Sequence, residues 1–199
     1  MFTFRPAIFC LVSVFGALMP VTHAADAPEG FRPLFNGKDL GGLQGRPHFD
    51  PRKLAAMSDE DRAAQIGEWT ADAKEHWTVE NGELVNDGHG AYLVTNDEFG
   101  DYEFLIDYKT VPRADSGIYL KGTPQVQIWD YTDPGKFGID SDLGSGGLWN
   151  NSAGAPGKNP FVLADKPFGE WNTFKIRQLG ARTTVWMNGQ LLVDNAIME

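Results

Sequence analysis

The side chains best suited to chemistry gather between Arg113 and Gly135, in RADSGIYLKGTPQVQIWDYTDPG. The stretch predicts two strands joined by a turn at Gly122-Thr123-Pro124. Alternation puts Tyr119 and Lys121 on one face of the first strand, with Ile118 and Leu120 on the other. On the second strand Gln125, Gln127 and Trp129 share a face, opposite Val126 and Ile128. If both apolar rows enter the core, the remaining face is a platform of Tyr, Lys, Gln, Gln and Trp. A strand face open only to water more usually carries Lys, Glu, Thr and Ser. The preceding strand, DYEFLIDYK, alternates in the same way, and its Glu103 and Asp107 could join the platform. A carboxylate there can act as general base, and an ammonium can hold a developing anion. Amides can bind hydroxyls, and an indole can cover the apolar face of a sugar ring. The structural alternative is a solvated strand face, with Trp129 in the core.

Other groups are weaker candidates. His89 sits on a glycine-flanked loop, NDGHGAYL, where a base could reach a ligand; a surface histidine is the alternative. Trp149 and Asn150 lie in GSGGLWNNSAG, a loop that could close over a sugar or simply be anchored by its indole. That glycine-rich run lacks the Gly-Lys-Ser/Thr ending and the strand-to-helix setting of a phosphate loop. Asp115 reads as a turn-shaping residue ahead of Ser116-Gly117, with a direct role in the site as the alternative. No HxH, HxxxH or HExxH spacing occurs, so a compact histidine metal site has no support. The sequence names no cofactor. An all-oxygen calcium site from Asp130, Asp133, Asp140 and Asp142 is possible, although the spacing is not that of an EF-hand.

The elements that must position these residues are mostly strands. Residues 1–24 read as a secretory signal peptide: Arg5, then the apolar run AIFCLVSVFGALM, then small residues Thr22 and Ala24 before the cut. The remainder, 25–199, is expected to form a single domain. FRPLF predicts a short strand before an Asn-Gly turn. Residues 46–75 break the pattern, with Ser58 as N-cap of one short helix inside an insertion. HWTVENGELV predicts a hairpin, AYLVT and DYEFLIDYKTV strands, and EWNTFKIRQL and RTTVWMNGQLLVD three more, with a tight turn at Asn188-Gly189. Residues 131–159 are a long Gly-, Asn-, Asp- and Pro-rich loop. Many short strands with one helix argue for an all-β sandwich or barrel. The chain stops at DNAIME, just after a strand, and is expected to be a truncated product.

Composition narrows the partners. Cys10, the only cysteine, lies in the signal, so disulfides, thiolate nucleophiles and cysteine-bound metals are excluded from the exported chain. Loss of Arg5 leaves 16 basic against 27 acidic residues, a formal charge of −11. Such a balance argues against nucleic acid and against anionic membrane surfaces, and is compatible with a neutral sugar. No segment after the signal is apolar enough to span a bilayer.

FRPLFNGKDLGGLQG, YLVTNDEFGDYEFLIDYK, ADSGIYLKG, QVQIWD and GEWNTFKI followed by TTVWMNGQLLVD occur here in that order. Together they resemble the 3-keto-disaccharide hydrolase family, formerly a domain of unknown function, over nearly the whole exported chain. The resemblance implies a concanavalin A-like jelly-roll β-sandwich, with the helix near Ser58 as a short insertion. It implies a periplasmic or secreted bacterial hydrolase acting on 3-ketoglycosides or 3-keto-disaccharides. A C3 ketone acidifies the C2 proton, so a base can remove it, the enolate can expel the C1 substituent, and water can add back. On this reading Glu103, Lys121 and His89 are the catalytic candidates. Asp107, Tyr119, Gln125, Gln127, Trp129, Trp149 and Asn150 are the substrate-binding candidates. Two features depart from the family pattern. Relatives continue into a C-terminal strand pair with a Gln-x-His-Gly motif, and many carry Glu where Gln125 stands. The competing reading is a non-catalytic, lectin-like carbohydrate-binding module, followed by a structural module of a surface assembly.

Overall fold

A computed structural model describes residues 27–199. The signal expected at 1–24, with Cys10, lies outside the described residues. The chain falls into two compact units, one up to Asn96 and one from Asp97 to Glu199.

In the first unit, β1 (Leu43–Arg46) pairs antiparallel with β4 (Tyr92–Thr95). FRPLF forms no strand. Pro33 has no N–H to give a ladder, and the Asn36 side chain instead accepts hydrogen bonds from the Lys38 and Asp39 amides. The predicted insertion holds two helices. Asp50 caps α1 (Pro51–Ala55), with proline at its first position. Ser58 caps α2 (Asp59–His76), as the sequence predicts. Its hydroxyl accepts from the Asp61 amide (3.1 Å) and donates to the Asp61 carboxylate (2.7 Å). Acidic residues 59–61 and basic Lys74 and His76 complement the helix dipole. α2 crosses β1 closely: a Cβ on Gly45 would stand 2.0 Å from the Trp69 carbonyl oxygen, so only glycine fits. β2 (Trp77–Glu80) and β3 (Glu83–Asn86) form the predicted hairpin, with Asn81 and Gly82 at positive φ.

The second unit is almost all strand. β5 (Tyr102–Tyr108), β6 (Asp115–Tyr119) and β7 (Gln125–Trp129) are followed by the long loop, which contains two 3-10 turns (Pro134–Ile139 and Ser141–Leu143). β8 (Asn172–Leu179), β9 (Arg182–Met187) and β10 (Gln190–Ala196) complete the unit. One antiparallel sheet has the order β10-β9-β8-β5, and β6 and β7 make a separate hairpin. The sheet contributes Phe104, Ile106, Tyr108, Phe174, Ile176, Val185 and Met187 to the core. The hairpin contributes Ile118, Val126 and Ile128 to that same core. Two β-layers therefore meet over one apolar interior, the arrangement of a sandwich.

The long loop is less free than its composition suggests. Residues 146–149 run beside β7: the Gly146 amide donates to the Gln127 carbonyl (2.8 Å), the Gln127 amide to Gly147 (2.9 Å) and the Trp149 amide to Gln125 (2.9 Å). Added Cβ atoms on Gly146 and Gly147 would stand 2.3 Å from Leu192 Cδ1 and 2.5 Å from the Lys158 carbonyl oxygen. The glycines of GSGG thus let the loop lie flat against the core.

Candidate functional site

The register of β6 and β7 sets Asp115 opposite Trp129, Gly117 opposite Gln127, and Tyr119 opposite Gln125. These residues share the face away from the core, as alternation predicts for the named residues of both strands. Gln127 is buried, 2% exposed. Its amide Nε2 donates to Asp115 Oδ1 (3.0 Å) and weakly to the Ile128 carbonyl (3.4 Å), while its Oε1 is buried without a partner. A buried carbonyl in that state costs about 1–3 kcal/mol, so the amide is held there against a penalty. The Gln125 side chain occupies the space beside Gly117; a Cβ there would stand 2.5 Å from Gln125 Nε2.

Asp115 is exposed, and its second oxygen meets Lys136 Nζ at 2.7 Å. Lys136 comes from the first 3-10 turn, whose N-cap is Asp133. Its ammonium also lies 5.4 Å from the Trp129 ring centre. Trp129 is buried and meets Trp149 edge-on at 5.2 Å. Lys158 Nζ stands 4.3 Å over the Trp149 ring and donates to the Trp149 carbonyl. The result is a carboxylate, a buried amide and two ammonium groups beside a pair of indoles. Behind it the loop is pinned to β7. Ser145 Oγ accepts from the Trp129 amide (3.0 Å) and donates to Asp165 Oδ1 (2.5 Å), and the Ser145 amide donates to Asp165 Oδ2 (2.9 Å). Burial holds the Asp165 carboxyl above the usual range, with the Ser145 hydrogen bonds acting the other way. Burial, reinforced by the Asp165 charge, also raises the Tyr108 phenol.

Other predicted site residues stand elsewhere. Glu103 and Asp107 lie on the face of the sheet opposite the core, because Phe104, Ile106 and Tyr108 take the inward positions. There Glu103 pairs with Lys175 (3.0 Å) and Asp107 accepts from the Thr173 hydroxyl (2.5 Å). They do not join the Gln127 platform. Lys121 follows the end of β6 at positive φ, so strand alternation no longer sets its direction. Its ammonium contacts Asp101 Oδ1 and the Gly180 carbonyl, both at 3.3 Å. Asn150 ties the loop to the hairpin: its Oδ1 accepts from the Gln125 amide (2.9 Å), and its Nδ2 donates to the Thr123 carbonyl. Trp129 and Trp149 form an aromatic wall anchored in the unit, and not a free stacking plate. Tyr119 is 39% exposed beside Gln125. His89 belongs to the first unit, its ring 5.9 Å from that of His76, which pairs with Asp87 at 2.9 Å.

The four loop aspartates form no cage. Asp130 accepts from the amides of Arg113 and Thr132, Asp133 from that of Gly135, and Asp140 from the Asn159 side chain, while Asp142 is exposed. Among the described residues no three His, Asp or Glu side chains gather as metal ligands. Sequence reasoning missed Lys136 and Lys158 as site residues and gave Asp115 a direct role only as the lesser alternative. Parity marks Asp115, two residues before Gly117 on the platform strand; Lys136 and Lys158 depend on how the loop folds back.

A family model described as a 3-keto-alpha-glucoside-1,2-lyase-like domain matches residues 30–199. The chain belongs to this family. Among solved structures it is similar to a protein of Parabacteroides distasonis provisionally described as a glycosyl hydrolase. That match has 21% identity and a TM-score of 0.50, and covers 82% of this chain and 70% of the other. At that identity it supports the sandwich fold alone. No curated protein matches the chain. Family membership makes this a glycosyl-hydrolase-like, carbohydrate-acting chain. Among the described residues no helix is long and apolar enough to cross a membrane.

Proposed function

We propose that this chain cleaves 3-ketoglycosides, on a jelly-roll sandwich of the concanavalin A-like kind, after export to the periplasm or beyond. The observation that carries the reading is the Asp115–Gln127–Lys136 group on the face of β6–β7 turned away from the core, in a member of this family. Asp115 is the base and removes the C2 proton of the keto sugar. The electron pair moves onto the C3 oxygen as an enolate, which Lys136 stabilises by charge. The enolate then re-forms the ketone, a C1–C2 double bond forms, and the C1–O bond breaks, the leaving oxygen taking up the proton that Asp115 removed. Water adds at C1 and a proton returns to C2, so the overall change is hydrolysis. If release precedes water addition, the same steps give a lyase. Gln127 Nε2 holds the Asp115 carboxylate in place, and Tyr119 and Gln125 offer hydroxyl contacts at the open end of the face.

The test is release of nitrophenol from a nitrophenyl 3-keto-glucoside and from the unoxidised glucoside. Turnover of the keto compound alone, lost in Asp115→Asn with the fold intact, supports the reading; equal turnover of both compounds overturns it. One feature favours a second reading, a lectin-like module: position 125, where the family resemblance implies a carboxylate, holds an amide here. Saturable sugar binding without release from either compound would select that alternative. Export is tested by finding Ala25 at the N-terminus of the protein recovered outside the cytoplasm.

A further inference from the structure

The face of the four-stranded sheet turned away from the core has chemistry that the reaction above does not use. Leu105, Lys175, Trp186 and Leu191 form one row straight across β5, β8, β9 and β10. An open depression of ≈ 390 Å³ lies there, lined by Thr173, Lys175, Trp186 and Gly189. Lys175 Nζ and Arg177 Cζ stand 5.6 and 5.3 Å from the Trp186 ring centre. Both cations therefore lie within cation–π range, about 6 Å, and flank the indole, which itself lines the depression. Gly189 has open space where a Cβ would be, so the β9–β10 turn leaves one end unobstructed. An indole flanked by hydroxyl, carboxylate and cationic hydrogen-bonding groups is unusual on a sheet face that only meets water.

We propose that this depression is a second saccharide-binding site, in which a neutral oligosaccharide lays the apolar face of one ring on Trp186. Charge selects the ligand class. Glu103 and Asp107 supply two carboxylates, and Lys175 and Arg177 two cations, on the same face. The Glu103–Lys175 pair cancels locally, and the Asp107 carboxylate opposes an acidic sugar entering beside Thr173. A neutral polyol meets donors and acceptors without leaving either charge unpaired. The site is shallow, so affinity is weak, roughly millimolar.

The experiment follows the indole N–H signals in two-dimensional NMR of the whole protein, titrated with cellotriose, maltotriose and glucuronate. The Trp186 signal should shift with at least one trisaccharide, saturate, and ignore glucuronate. Thr173→Arg, which fills the depression from an exposed position, should lower that affinity at least about tenfold. It should leave turnover of a small chromogenic keto-glucoside unchanged. Asp115→Asn should leave the Trp186 shift intact, which separates this site from the proposed reaction. The proposal is overturned by an unmoved Trp186 signal with both trisaccharides. It is overturned equally by a stronger response to glucuronate, or by a shift that survives in Thr173→Arg.

Discussion

Gln127→Met tests the platform most sharply, because the structure gives stability and activity opposite signs. Methionine keeps the length of the side chain, so no cavity opens, unlike Gln127→Ala. The substitution removes a buried Oε1 that has no partner, which returns about 1–3 kcal/mol. It also removes the Nε2 hydrogen bond to Asp115 Oδ1 at 3.0 Å. A bond to a charged group is worth about 1.5–3 kcal/mol. Here that figure must be discounted, because the Asp115 side chain is 52% exposed, regains water and keeps Lys136. The discounted loss, about 1 kcal/mol, is no larger than the gain. Stability should therefore be unchanged or rise by up to about 2 kcal/mol. For a unit of about this size each kcal/mol moves Tm by about 4–8 °C. Turnover of the keto-glucoside should fall roughly 10–100-fold, as Asp115 loses its orienting donor. Scanning fluorimetry and the chromogenic assay read both quantities on one preparation. A Tm lower by more than about 8 °C would mean that Oε1 is satisfied in the folded protein. Wild-type turnover in a stable variant would remove Gln127 and its hold on Asp115 from the mechanism.

Lys136→Met should lower kcat roughly 10²-fold, as for loss of one oxyanion donor, with little change in the sugar affinity measured by calorimetry. Gly45→Ala should destabilise the first unit by about 3 kcal/mol or more, since its Cβ meets backbone at 2.0 Å; faster amide exchange in α2 would reveal it. The hydrogen bond to Asp87 raises the His76 pKa above its ordinary 6.5. Its stabilisation is therefore complete below that value and is lost as pH rises through the folded pKa, while Asp87, held low by the same bond, stays charged. Denaturant titrations of His76→Gln across this window should lose the pH dependence seen in the wild type.

The parts of this fold readable from sequence are those fixed by local periodicity. Ser58 announced α2, Asn81-Gly82 and Asn188-Gly189 announced hairpins, and two-residue alternation sorted β5, β6 and β7 into inward and outward rows. Alternation fixes a residue's side of its own sheet, but not which layer that sheet belongs to. Glu103 and Gln127 both point away from the core, yet from opposite layers, and the inference that they share a platform failed on that distinction. Lys121 failed differently: one residue past Leu120 the chain enters a left-handed turn and the parity is lost. FRPLF looked like a strand by composition, but Pro33 and the Asn36 turn claim its backbone.

The long loop shows why the rest was illegible. Its composition suggests mobility, and its glycines do the reverse, admitting the backbone of residues 146–149 to β7 and the core. The chain after β7 thus becomes a third strip of the platform layer, and Asp165 and Ser145 lock it from behind. Only through that path do Lys136 and Lys158 reach Trp129 and Trp149. A rigid loop also changes what the indoles can do. Trp129 and Trp149 brace each other edge to face, so they fix where the Lys136 charge stands in place of stacking on substrate. Preorganised charge of this kind costs no rearrangement when an enolate forms. Ser145→Ala, which unlocks the loop without touching Asp115 or Lys136, should therefore lower kcat more than it weakens sugar binding. An equal loss in both would mean that the loop closes on the ligand and is not already in place.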